Sequence, residues 1–145
     1  MAQFESKFKF SVGPWNVHSG ADSYGPATRA EIPFEEKLKR FAEMGFSAVQ
    51  FHDDDVPRMN DLTDEEIKAE ARGVKKLLDK YGLKAEFVAP RLWMDPHTID
   101  GGFMSAREED RDFAMWRAYR SIDIARELEC DLIVLWLARE GTLCA

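Results

Sequence analysis

"SAVQFHDDDVP", residues 47–57, decides how the rest of the chain is read. Its first five residues, 47–51, mix small, β-branched and aromatic side chains over a strand-like length. One histidine and three aspartates follow at once, and a proline closes the run. Such a strand end is either a solvated acidic turn or a histidine with a carboxylate placed to orient it. Position alone leaves both readings open. In the second, a carboxylate holding Nδ1–H would fix the tautomer, leave Nε2 free to accept a proton and stabilise the resulting imidazolium. Asp53 is adjacent to His52 and points the other way in an extended segment. Asp55 can fold back across a turn, so His52 and Asp55 are the candidate pair.

Outward from this stretch the chain alternates strand and helix. Residues 7–12, "KFKFSV", read as a first strand. A loop of about 20 residues follows, long enough to suggest a function. "PFEEKLKRFAEMGF" reads as a short helix with Phe34, Leu38, Phe41 and Ala42 on one stripe and Gly45 past its end. After the motif, Thr63 and Glu66 have capping-box spacing and open a second helix. Ile67, Ala71, Val74, Leu77 and Leu78 form its apolar stripe, and Gly82 ends it. Residues 83–90 are a third strand. Ser105 and Glu108 repeat the capping-box spacing before a long helix, whose expected buried face is Met115, Ala118, Tyr119, Ile122, Ala125 and Leu128. "DLIVLWLA", residues 131–138, is a near-continuous apolar fourth strand of the kind covered on both faces of a parallel sheet.

The order β-α-β-α-β-α-β, with strand-to-strand steps of about 35 to 47 residues, permits right-handed crossovers. It predicts a parallel α/β sheet, either doubly wound or part of a (β/α)₈ barrel. No G-x-G-x-x-G follows a strand, which argues against a dinucleotide fold. In either architecture ligands gather at the carboxyl ends of strands. The unusual residues fall there: Trp15, then His52 and the aspartates, then Trp93, then Trp136, Arg139 and Glu140.

A single tryptophan after a strand is more often core than ligand-binding. Three at strand ends suggest a flat apolar wall that buries sugar C–H faces and excludes water. Trp116, within a helix, reads as packing. Arg139 and Glu140 read as an ordinary exposed pair, and "DGGF" (100–103) as a turn. His18 and His97 share no ligand-type spacing with His52, which argues against a metal site within these residues.

The 145-residue length suits one domain, and 45% hydrophobic with 32% charged residues is a soluble globular composition. A net charge of −7 disfavours nucleic acid and anionic membranes as partners. No apolar run approaches the roughly 20 residues of a membrane span, and no signal-peptide pattern opens the chain. A cytoplasmic location is the expectation. Cys130 and Cys144 lack metal-type spacing, and Cys130 reads as a buried free thiol.

The motifs "FSVGPWNVHSGADSYGPATR", "FHDDDVP", "DGGF" and "LWLAREG" resemble, in order and spacing, those of the D-xylose isomerase family. The likeness runs from about Phe8 to Gly141. It implies parallel β/α units forming the first half, four strands, of a TIM (β/α)₈ barrel. Residues 1–145 would then be the N-terminal half of the barrel, with the C-terminal half missing. The family interconverts aldoses and ketoses, xylose to xylulose and glucose to fructose, by ring opening and a metal-assisted hydride shift. The resemblance gives His52 the ring-opening role and Asp55 that of orienting it. It makes Trp15 and Trp136 substrate-lining, with Trp93 where a phenylalanine is usual. Tyr24 stands where a phenylalanine usually reaches the neighbouring subunit's site, which implies a homo-oligomer, tetramer or dimer. Two divalent cations, Mg²⁺, Mn²⁺ or Co²⁺, belong to the family's reaction, and their ligands lie in later strands, none in this chain. Catalysis by these 145 residues alone is therefore not expected. Two alternatives are a half-barrel that self-associates as a non-catalytic sugar-binding or structural module, and a related sugar epimerase.

Overall fold

The computed structural model describes residues 8–20, 24–56, 62–137 and 140. Three parallel strands form one sheet in the order β1 (Ser11–Val12), β2 (Ala48–His52), β3 (Lys84–Ala89). Each is followed by a helix: α1 (Phe34–Glu43), α2 (Asp64–Lys80) and α3 (Glu108–Glu127). Ser11 aligns with Ala48, and His52 with Ala89. This is a partial TIM barrel of successive parallel β/α units.

Local chemistry explains the elements. Leu38 and Phe41 of α1, and Ile67, Ala71, Val74 and Leu78 of α2, are buried against Val49 and Phe51 of β2 and Val88 of β3. The stripes have helical spacing, so one face of each helix meets the sheet. The Thr63–Glu66 capping box is formed: Thr63 Oγ1 accepts from Glu66 N, and Glu66 Oε2 accepts from Thr63 N at 2.8 Å. Gly45 (φ +87°) and Gly82 (φ +67°) take the left-handed turn that ends α1 and α2. Cys130 is a buried free thiol whose pKa burial pushes up.

Besides β1, which is only Ser11–Val12 where a strand over 7–12 was expected, three expectations change. The fourth strand is reduced to one parallel bridge, Val88 with Ile133. Two backbone bonds make it, Val88 N to Leu132 O and Val134 N to Val88 O. No described strand lies on its far side, and Leu132, Leu135, Trp136 and Leu137 are about half exposed. Of a run that reads as covered on both faces, Ile133 packs on the core while those four stay about half exposed among the described residues.

The second correction is the buried face of α3. Met115, Tyr119 and Ile122 are exposed, whereas Asp110, Ala114, Arg117, Ser121 and Ile124 are buried with Ala125. The packed face is turned and partly ionic, because Arg117 meets a buried aspartate of the β2 end. The third concerns Ser105, which does not cap α3. Arg107 stands at the N-cap, and buried Ser105 Oγ instead donates to Asp110 Oδ2 at 2.9 Å. The turn from Gly102 to Ser105 draws that serine inward before the helix begins.

Candidate active site at the strand ends

The carboxyl ends of the strands carry a row of rings. Trp15 lies 4.3 Å from His52 between ring centroids, His52 lies 5.1 Å from Trp93, and Trp93 lies 5.7 Å from Trp136. Each comes from a different segment: the 3₁₀ turn Pro14–Asn16 after β1, the end of β2, the loop after β3, and the stretch after the Ile133 bridge. Trp15 folds back over Gly13, where an added Cβ would stand 2.1 Å from the indole. Glycine is required there by close approach. His52 is nearly buried within the row, while Trp136 at its end is 60% exposed. Tyr24 is fully exposed and is not among the four rings.

The three aspartates after His52 divide their work. Asp55 turns back on the histidine: Oδ2 lies 3.0 Å from Nδ1 and accepts from His52 N at 2.8 Å. Asp53 points the other way and is fully buried. Arg117 binds it with two bonds of 2.8 Å, and Arg91 N donates to it at 2.8 Å. Asp54 shares the single Arg91 Nε–H between its two oxygens, at 2.8 and 3.0 Å, whereas Arg117 grips Asp53 through two separate nitrogens. A planar guanidinium matches a carboxylate in this paired way, so the β2 end is locked to α3 and to the β3 loop.

The arginines were not legible as site residues. Burial works against the Arg117 charge, but Asp53, Asp54 and Asp95 together hold its pKa above the ordinary value. Asp95 lies 3.6 Å from Arg117. Burial would raise the Asp95 pKa, yet bonds from the His97 backbone and ring, with the Arg117 charge, hold it below the ordinary value. Arg120 differs: its Nε and Nη1 are buried without a hydrogen-bond partner among the described residues, Nε lying 3.9 Å from Asp53 Oδ2. Burial first, and Arg117 beside it, push its pKa down against the pull of Asp53.

"DGGF" is more than a turn. Phe103 N and Met104 N donate to the Glu140 carboxylate at 2.8 and 2.9 Å. A Cβ on Gly102 would stand 3.1 Å from Glu140 Oε1. Glu140 is therefore a latch between the β3 loop and the segment after Trp136. Arg139 lies outside the described residues.

One donor of each of His52, Asp54 and Asp55 lies within 4.8 Å of the others, close enough for a metal-type cluster. The Arg91 guanidinium already stands among them, bonded to Asp54, bonded to Asp55 Oδ1 at 3.1 Å and 2.9 Å from His52 Nδ1. A divalent cation there would have to displace it.

Fold and placement together define the class: a partial TIM barrel whose ionisable and aromatic side chains gather where that fold puts its active sites. The chain belongs to the xylose isomerase-like TIM barrel family, whose profile matches residues 38–142. Among solved structures, a xylose isomerase-like TIM barrel/4-hydroxyphenylpyruvate dioxygenase fusion protein is 18% identical with a TM-score of 0.56, covering 93% of this chain and 17% of that one. A D-psicose 3-epimerase crystallised in the presence of D-fructose is 14% identical with a TM-score of 0.58, over 90% of this chain and 37% of that one. An AP endonuclease of family 2 from Brucella melitensis is 17% identical with a TM-score of 0.51, over 86% and 39%. The chain thus spans less than half the length of each. Among the described residues no helix is long and apolar enough to cross a membrane.

Proposed function

We propose that this chain is the N-terminal half of an aldose–ketose isomerase barrel of the D-xylose isomerase type, acting on D-xylose and D-glucose. The observation that carries the reading is His52, held at Nδ1 and at its backbone N–H by Asp55 and walled by Trp15, Trp93 and Trp136. Indole faces pack against the C–H faces of a sugar and keep water from the reacting carbons. A carboxylate-held imidazole can move a proton at the sugar oxygens during ring opening. His52 and Asp55 are the catalytic pair in this reading. Tyr24 reaches the neighbouring subunit of a homo-oligomer.

The reaction's divalent cations, Mg²⁺, Mn²⁺ or Co²⁺, would supply Lewis acidity for the hydride shift. The described residues do not fit such a cage, because Arg91 occupies the one cluster of ligand-type atoms. The proposal places the metal ligands outside this chain, in the rest of the barrel. Titration with D-xylose is the test. Indole N–H signals of Trp15, Trp93 and Trp136 should move, and should stay fixed in His52→Ala. Indoles that ignore the sugar would remove the reading. Assayed with Mg²⁺ or Mn²⁺, the chain alone should form no ketose, and turnover above the His52→Ala control would contradict the half-barrel assignment.

A second reading, a self-associating half-barrel without isomerase chemistry, draws on the half-exposed Leu132, Leu135, Trp136 and Leu137. An open strand edge beside apolar surface favours association. Sedimentation as a clean dimer supports it; a monomer or polydisperse aggregate counts against it.

A further inference from the structure

His52 Nδ1 has two suitors that cannot both be satisfied. Asp55 Oδ2, at 3.0 Å, only accepts, and Arg91 Nη2, at 2.9 Å, only donates. A neutral imidazole carries one proton, so Nδ1 either donates to Asp55 or accepts from Arg91.

The surrounding bonds decide between them. Arg91 Nε is spent on Asp54, and one Nη2 hydrogen goes to Asp55 Oδ1 at 3.1 Å. The second Nη2 hydrogen has Nδ1 as its acceptor among the described residues. Were Nδ1 protonated, two N–H groups would face each other at 2.9 Å, and a guanidinium hydrogen would lose its acceptor at a half-buried site. With Nδ1 bare, Arg91 Nε and both Nη2 hydrogens keep acceptors, and Asp55 Oδ2 still accepts from His52 N at 2.8 Å. A buried donor without a partner costs more than a carboxylate oxygen with a spare lone pair.

We infer that Arg91 is a positioning residue that holds resting His52 in the Nε2–H tautomer. In that state the site offers a sugar oxygen a hydrogen-bond donor and takes no proton from it. Nε2 becomes an acceptor only when Arg91 Nη2 withdraws from Nδ1 and solvent water takes the Nε2 proton and returns one to Nδ1, which then donates to Asp55. Arg91 thereby gates the histidine between recognising an oxygen and deprotonating one. The consequence for chemistry rests on the sugar reading above; the tautomer does not.

Nitrogen–proton correlation spectra of the ¹⁵N-labelled chain report which ring nitrogen carries the proton. His18, His52 and His97 are distinguished by a His52→Gln variant. The wild type, without sugar and above its imidazole titration, should show His52 protonated on Nε2. Arg91→Met should shift the tautomer ratio toward Nδ1–H by about tenfold or more, the scale of one charge-assisted hydrogen bond. An Nδ1–H tautomer in the wild type overturns the inference by itself, even where Arg91→Met fails to fold. A tautomer unchanged in a folded Arg91→Met chain also overturns it. Failure of D-xylose to bind would remove the sugar reading and leave this result standing.

Discussion

The two ends of the sheet are built by opposite means. At the β2 end, four aspartates, two histidines and three arginines lock β2, the β3 loop and α3 into one corner, with Arg117 and Asp53 nearly inaccessible. At the other edge, residues 132–137 hold to β3 through a single bridge, and their large apolar side chains are half exposed. The ionic contacts of the corner are made among residues of β2, the β3 loop and α3. A partial barrel can thus fix its histidine while its apolar edge stays half exposed.

The largest effect should come from breaking the corner. Asp53→Ala takes from buried Arg117 its closest, doubly bonded partner, and about 3–5 kcal/mol of stability should be lost. Urea unfolding measures it; a loss below about 1 kcal/mol would mean that the ionic lock is dispensable. Gly13→Ala should cost less, about 1–3 kcal/mol, because the Trp15 ring can swing away from the new Cβ. Its second signature is loss of the Trp15–His52 contact, read as a changed His52 proton shift. Smaller again is the contribution of Asp95. Its pKa is lower folded than unfolded, so its stabilisation is fully present above the unfolded value and is lost as pH falls through the folded one. Asp95→Asn should flatten the acid limb of the stability profile over that range and leave neutral-pH behaviour of the other carboxylates intact. The smallest change in stability, within about 0.5 kcal/mol, belongs to Leu135→Lys at the open edge. Sedimentation should nonetheless show less association than in the wild type, and unchanged association would mean that the edge is not sticky.

Much of this architecture was legible in the sequence. The strands at 47–51 and 83–90 lie within a residue or two of β2 and β3. The Thr63–Glu66 box and the stripes of α1 and α2 follow from local spacing, which obeys helix geometry alone. The turn of Asp55 onto His52 was readable for the same reason, being three residues long. Helix α3 was not. Met115, Tyr119 and Ile122 have the spacing of a core stripe, but nothing described here covers them. The face that packs carries Arg117, whose partner Asp53 lies 64 residues away. A periodicity argument ranks arginine as solvent-facing and cannot see an ion pair formed across the fold. Arg91 escaped notice likewise, and Glu140 was read only as part of an exposed pair, their partners being 36 to 39 residues distant.

Amide hydrogen exchange tests the contrast most directly, because it reads local opening residue by residue. The N–H groups of His52, Asp53 and Arg91 are bonded within the corner, to Asp55, Ala89 and Asp53. Those of Leu135, Trp136 and Leu137 meet no acceptor among the described residues. The corner amides should therefore exchange slowly, near the limit set by global unfolding, and residues 135–137 should exchange orders of magnitude faster. Equal protection at the two ends, or faster exchange in the corner, would contradict the contrast between an ionically locked corner and a loosely held edge.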